Sequence, residues 1–268
     1  MATPKRFELD AVRRALLDQG HLIEQQLASR PDEVFAQPTR LGDWTVDVLV
    51  AHLALTLGSL AEWIGAPEPA GTQRSLSSYY EAARKSAGFV DSISRAAAAG
   101  KGPQALRAAY REALEGVSAA LAGVHEGQLV TTRSGAMAAT DLVVTRCIEV
   151  VVHGLDLQAA TGVPALATDA VRPAALTVVV KAFGAILMGR APGHSVEVRI
   201  PGPAGTAFQC GEGPQHTRGT PPNVVETDPV TFIELGAGRL DWATAIGTGA
   251  VRASGGRADL SALLPLVG

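Results

Sequence analysis

The segment from Leu142 to Leu155 constrains the fold more than any other. Leu142, Val143, Val144, Ile148, Val150, Val151, Val152 and Leu155 make it apolar on nearly every side, and a helix of that kind belongs in the middle of a bundle. The same helix carries Arg146, Glu149, His153 and Asp156 at offsets of zero, three, seven and ten, so these four share one face. Burying charge costs on the order of several kcal/mol per unpaired ion, so each of the four must be paired, hydrogen-bonded or ligated. The chain must therefore build a helical bundle with a polar centre.

The first part of the chain supplies the other helices. Leu9, Val12, Leu16, Ile23 and Leu27 mark a helix between Phe7 and Arg30, stopped by Pro31. A second helix is expected after Thr45, placed to cap it, with Asp47 in the first turn and Leu49, His52, Leu53, Thr56, Leu60 and Trp63 on one face. Leu76 to Ile93 reads as a third helix, ended by Gly100 and Gly102, and Leu106 to Leu121 as a fourth. The central apolar helix starts after Thr140 and closes at Gly162-Val163-Pro164.

Beyond it the period changes. An apolar helix begins near Ala170, and then Val196, Val198 and Ile200 alternate with Glu197 and Arg199, as in a strand. Further strands are expected at Phe208 to Cys210, Val224 to Thr227 and Val251 to Ala253. A helix opens at Asp228-Pro229 and runs through Leu235, and another closes the chain from Asp259 to Leu266. At 268 residues and about 150 residues per domain, two domains are expected. The pattern predicts an α N-terminal helical bundle over 1–165 followed by a smaller α+β domain over 166–268.

Hydrophobic residues at 47% and charged residues at 18% exclude a disordered chain. A net charge of -3 and a pI near 6.1 supply no basic field for nucleic acid or an anionic membrane. The most apolar stretch, Ala174 to Gly189, is broken by Lys181, which argues against a spanning helix. The opening MATPKRFELDAVRR has no apolar secretory core, and the two cysteines, Cys147 and Cys210, lie far apart. These features give the expectation of a soluble, cytoplasmic protein.

Glu149 and His153, one helical turn apart, can chelate one ion, as inward-facing pairs do in metal-binding bundles. His52 is the candidate third ligand, since it lies on the other strongly apolar helical face that carries a histidine. Two imidazoles and a carboxylate form a catalytic zinc-type set with an open fourth position. The same residues also admit a plainer reading, a packing pair on one helix and a satisfied core histidine on another. Arg146 and Asp156 suit supporting or helix-pairing roles. Cys147 reads as a small buried hydrophobe, and His21, His125, His194 and His216 carry no signal.

Two strings give these residues a wider context: Asp43-Trp-Thr-Val-Asp-Val-Leu-Val-Ala-His-Leu53, and Arg146-x-x-Glu149-x-x-x-His153-x-x-Asp156 running into Ala160-Thr-Gly162. With the weaker segments Phe232 to Arg239 and Gly249 to Gly255, they make the chain resemble the mycothiol-dependent maleylpyruvate isomerase family over nearly its whole length. The resemblance implies a DinB-like metal-binding bundle followed by a sterol-carrier-like domain, with His52, Glu149 and His153 as zinc ligands. It implies mycothiol as thiol cosubstrate and a small electrophile as substrate, in a cis-trans isomerisation or an S-transfer. Family arginines hold substrate carboxylates, and Arg84 and Arg239 are the possible counterparts. A monomer or homodimer is expected. The alternatives are a non-catalytic carrier of a lipid or other small molecule, and a zinc hydrolase on the same scaffold.

Overall fold

A computed structural model describes residues 7–71, 74–161, 171–202, 205–213 and 221–267. The chain divides into two compact units, Met1–Ala175 and Leu176–Gly268. The boundary expected at 165/166 and the helix stop at Gly162-Val163-Pro164 lie outside the described residues.

The first unit is a helical bundle. Its elements are α1 (Leu9–Ser29), a 3-10 turn (Asp32–Ala36), α2 (Val46–Gly65), α3 (Leu76–Arg84), α4 (Ala87–Ala98), α5 (Pro103–Ala122), β1 (Leu129–Thr132), β2 (Gly135–Ala138) and α6 (Ala139–Thr161). Helix α2 packs on α4, α5 and α6, and α1 packs on α5 and α6. Val12, Leu16, Ile23, Leu49, Leu53, Leu57 and Leu60 are fully buried or nearly so, as their spacing predicts. Leu142 to Leu157 on α6 is buried except for Glu149, which is half-buried. The all-round apolar helix is thus central, and its polar face opens at one place.

Three expectations about this unit change. The third helix is two: the backbone tightens at Lys85 and Ser86, whose amides bond to Ala82 and Ala83, and a new helix starts at Ala87. Such a short-range turn redirects the chain without a proline or glycine to announce it. Thr45 stands at the N-cap of α2 but makes no cap bond; its hydroxyl bonds to Asp47, whose carboxylate accepts from the Val48 amide at 2.7 Å. The hairpin β1–β2, joined at Arg133-Ser134 with Val130 and Met137 buried, was not expected from the sequence.

The second unit is α+β. Helix α7 (Pro173–Arg190) leads into β3 (Val196–Ile200), β4 (Thr206–Cys210), β5 (Val224–Thr227), α8 (Pro229–Gly236), α9 (Trp242–Gly247) and β6 (Val251–Ser254). The sheet order is β4-β3-β5-β6, with β3 and β5 parallel and the outer pairs antiparallel. Asp228 caps α8 by accepting from Val230 and Thr231. A Cβ at Gly236 would lie 2.3 Å from the Phe183 ring, so only glycine lets this helix approach α7 so closely. The closing helix expected over Asp259 to Leu266 is only a 3-10 turn, Ser261–Leu263. Pro265 cannot continue a helix, and the Leu266 and Val267 amides bond to the Gly236 carbonyl instead. Helices α2 and α7 have the length and hydropathy to cross a membrane; within the units they are core helices.

Candidate metal centre

Helices α2 and α6 bring His52, Glu149 and His153 together, with one ligand atom of each within 4.8 Å of the others. The Glu149 Oε2 atom lies 3.2 Å from His52 Nε2 and 3.3 Å from His153 Nε2. The imidazoles meet edge to face, 5.0 Å between centroids. Each histidine is buried, and Glu149 opens onto a cavity.

The far nitrogens decide what the near ones can do. Ser94 Oγ donates to the Val90 carbonyl at 2.7 Å, so its remaining bond to His52 Nδ1, at 3.2 Å, must be accepted from an Nδ1–H. His153 Nδ1 faces the Asp156 carboxylate at 2.9 Å and must likewise carry the proton. Both rings therefore turn Nε2 toward the same carboxylate oxygen, with the Thr56 hydroxyl 3.5 Å from that of His52. A proton on an Nε2 holds the cluster together in the metal-free protein; once the rings are neutral, two Nε2 lone pairs and a carboxylate face one point, which is the chemistry of a metal-ligand set. That proton sits on His153: burial works to lower its pKa, but the Asp156 and Glu149 carboxylates outweigh it and raise it to about 9, so a metal ion would have to displace the proton. Burial also opposes the charge on Glu149, yet the two histidines hold its carboxyl well below the usual range. His52 is lowered, chiefly by burial.

The surroundings fix these groups. Asp156, fully buried, also accepts from Arg40 Nε at 2.6 Å. The Trp44 ring lies 5.3 Å from the His52 ring, and its Nε1–H donates to Asp91 at 2.6 Å; Arg95 bonds both Asp91 and Asp43. Cys147 is fully buried with its thiol against the Val12 carbonyl, and burial pushes its pKa up. It is a core residue.

A cavity of about 680 Å³ reaches His52 and Glu149 and is lined by α2, α3, α4 and α5 residues together with Arg133, Ser134 and Arg146. Its wall of Ala51, Ala54, Leu55, Val90, Ile93 and Leu106 is apolar. Arg84 is exposed in the last turn of α3 and does not line it. Arg239, in the second unit, donates to the Ala237 carbonyl at 2.8 Å. His216 lies outside the described residues. Sequence reading missed Ser94, Asp91, Tyr79 and Tyr80. All four lie on α3 or α4, whose break carried no signal.

No curated protein sequence matches the chain. Two similar solved structures are those of a mycothiol-dependent maleylpyruvate isomerase and of a histidine-to-alanine variant of such an enzyme. They share TM-scores of 0.57 and 0.58 and 19% identity, covering 95% of this chain and 96% of theirs. At that identity the likeness establishes the fold. Residues 172–266 match the model described as a bacterial SCP ortholog. Residues 16–158, more than half of the chain, match the mycothiol maleylpyruvate isomerase N-terminal domain, and the chain belongs to that family.

Proposed function

We propose that this protein is a mycothiol-dependent enzyme that adds the thiol to a small electrophile, as an isomerase or an S-transferase, with His52, Glu149 and His153 holding a zinc ion. The observation that carries the reading is the convergence of two Nε2 atoms on one Glu149 oxygen, at 3.2 and 3.3 Å. Imidazole nitrogens suit zinc, whereas magnesium prefers an oxygen shell. A divalent ion held there supplies Lewis acidity that favours the thiolate form of an incoming thiol near neutral pH.

The chain's own residues supply the rest. Ser94 and Asp156 hold the two imidazoles in the tautomer that leaves Nε2 available. Glu149 contributes the one negative charge among the three ligands. The apolar wall beside them lowers the local dielectric around the reacting end, and charge interactions are stronger there than in bulk water. Neither cysteine competes as nucleophile: both are buried, and burial raises both thiols. The thiol comes from outside the protein. Arg84 and Arg239 remain candidates for holding a substrate carboxylate.

The test pairs metal analysis with turnover. Zinc-loaded protein is offered a panel of electrophiles with mycothiol, with glutathione or with no thiol, and His52→Ala is run alongside. Mycothiol-specific consumption that disappears in the variant is expected. Turnover independent of thiol points to a hydrolase, and silence across the panel with tight lipid binding points to a carrier.

A further inference from the structure

Arg146 is the member of the α6 stripe that the metal centre does not use. It is only 3% exposed and makes no ion pair among the described residues. Its Nη1 donates to the Tyr79 hydroxyl at 3.2 Å and to Thr145 Oγ1 at 3.0 Å, and its Nη2 donates to Ser59 Oγ at 3.2 Å. The guanidinium also lies over the Trp63 ring, 5.1 Å from its centroid. Every partner is neutral.

The hydroxyl protons are unequally committed. Thr145 gives its own to the Leu142 carbonyl at 2.6 Å, and Ser59 gives its own to Thr56 at 2.8 Å. Tyr79 accepts from Arg146, so its O–H is polarised and its proton is not spent on either of those carbonyls. Tyr80 stands beside it, ring edge to face at 5.3 Å, with a buried hydroxyl that has no partner; Arg146 Nε is also buried without one. Burial holds the Tyr80 hydroxyl protonated, as a donor. Arg146, Tyr79 and Tyr80 all line the cavity that reaches Glu149.

The uncommitted groups of this corner, Arg146 Nε–H and the Tyr80 hydroxyl, are thus donors beside a positive charge whose only nearby carboxylate among the described residues, Glu149, is engaged by the two histidines. A neutral amide or a hydroxyl would satisfy only part of it, while an anionic oxygen supplies both the missing acceptor and the missing charge. We propose that Arg146, Tyr79 and Tyr80 form an oxyanion-binding subsite in the cavity, one that takes a negatively charged oxygen of the ligand reacting at the metal centre. The anion's identity as part of the reacting ligand rests on the function proposed above; its binding chemistry does not. The oxygen has two sources: a carboxylate already present on the ligand, or a carbonyl oxygen that gains charge as a thiolate forms its C–S bond to a conjugated carbon and the π electrons move onto that oxygen.

The test uses the full chain, metal-free and zinc-loaded, with benzoate as the carboxylate probe, ionised 4-nitrophenol as the single-oxygen probe and benzamide as the neutral control. Calorimetry gives affinities, and the 4-nitrophenolate absorption band reports the hydrogen bonds its oxygen receives. In the metal-free protein at least one anion should bind about tenfold or more tightly than benzamide, the scale of one charge-assisted hydrogen bond. Preference for benzoate marks a ligand carboxylate, and preference for 4-nitrophenolate marks a developing charge. Tyr79→Phe/Tyr80→Phe and Arg146→Met should each abolish the preference with zinc stoichiometry unchanged, the phenylalanine pair guarding against misfolding of the arginine variant. Anions that bind no better than benzamide, or a preference that survives in the folded variants, would overturn the proposal. Intact anion preference in a protein that takes no zinc would instead sink the metal-centre reading and leave the subsite standing.

Discussion

The two imidazoles at the centre are anchored in unlike ways. His153 has its ligand neighbour Glu149 and its support Asp156 on one helix, α6, and that support is a carboxylate tied to Arg40. His52 stands on α2, its Nδ1 partner Ser94 comes from α4, and that partner is a neutral hydroxyl. One arm is written within a single helical repeat and is charge-assisted; the other is assembled by tertiary packing and fixes only a tautomer. A carboxylate behind an imidazole raises its basicity as well as orienting it, whereas a serine can only orient. The α6 arm should therefore carry more of the binding energy.

The largest effect expected is the loss of a ligand. His153→Ala or Glu149→Ala should lower zinc affinity by more than about 100-fold, beyond the range of supporting-residue changes, with helix content retained. Elemental analysis after demetallation and reloading measures it. If His52→Ala proved as damaging as His153→Ala, the two arms would be equal and the comparison broken. Next comes Asp156. Asp156→Ala removes the partner of His153 Nδ1 and of Arg40, and because the Arg40 side chain reaches solvent the cost in denaturant unfolding should be about 1–3 kcal/mol, the scale of a lost charge-assisted hydrogen bond. Asp156→Asn keeps the volume, so its effect should concentrate on zinc affinity, about 10- to 100-fold.

The same contrast explains what could be read from sequence. Glu149, His153 and Asp156 are legible because i, i+3 and i+4 spacing on an apolar helix is local information. His52 is legible from its apolar face, and its meeting with α6 is then a matter of bundle packing. Ser94 and Asp91 were invisible, since the turn at Lys85 and Ser86 that aims α4 at Trp44 and His52 involves no breaker residue. The hairpin β1–β2 escaped because four-residue strands give the alternation too little length. In the second unit, alternation locates β3 and β4 and short extended pieces locate β5 and β6, whereas Pro265 stops the closing helix that the apolar pattern suggests.

A smaller effect separates the arms by pH in the metal-free protein. His153 is raised from 6.5 to about 9, so its stabilising charge is complete below pH 6.5 and is lost as pH rises through 9. His52 is lowered, so its contribution runs the other way and changes only below about pH 6.5. Between pH 7 and 9 His153 acts alone, and the melting temperature of the metal-free protein should fall across that window. Zinc should remove the fall, because it replaces the proton. A fall of equal size in His153→Gln would show that another group is responsible.

The smallest effect tests the neutral arm. Ser94 accepts from His52 Nδ1 only because its own proton is held by the Val90 carbonyl, 2.7 Å away, so removing the hydroxyl frees the imidazole to protonate at Nε2 instead. In Ser94→Ala the productive tautomer becomes one of two, and the ring loses its Nδ1 contact while those to Trp44, Glu149 and His153 remain. Zinc affinity should drop about tenfold, at the low end for such supporting residues, and stability should change by no more than about 1–2 kcal/mol, the range for one buried hydrogen bond. Nitrogen-15 spectra of histidine-labelled, metal-free protein read the tautomer directly. The Nδ1–H form should dominate in the parent chain, give way to a mixture in Ser94→Ala, and return in Ser94→Thr. A purely packing role would lower stability in Ser94→Ala without moving those nitrogen shifts, and that result would leave His52 oriented by Trp44 and its α6 neighbours instead.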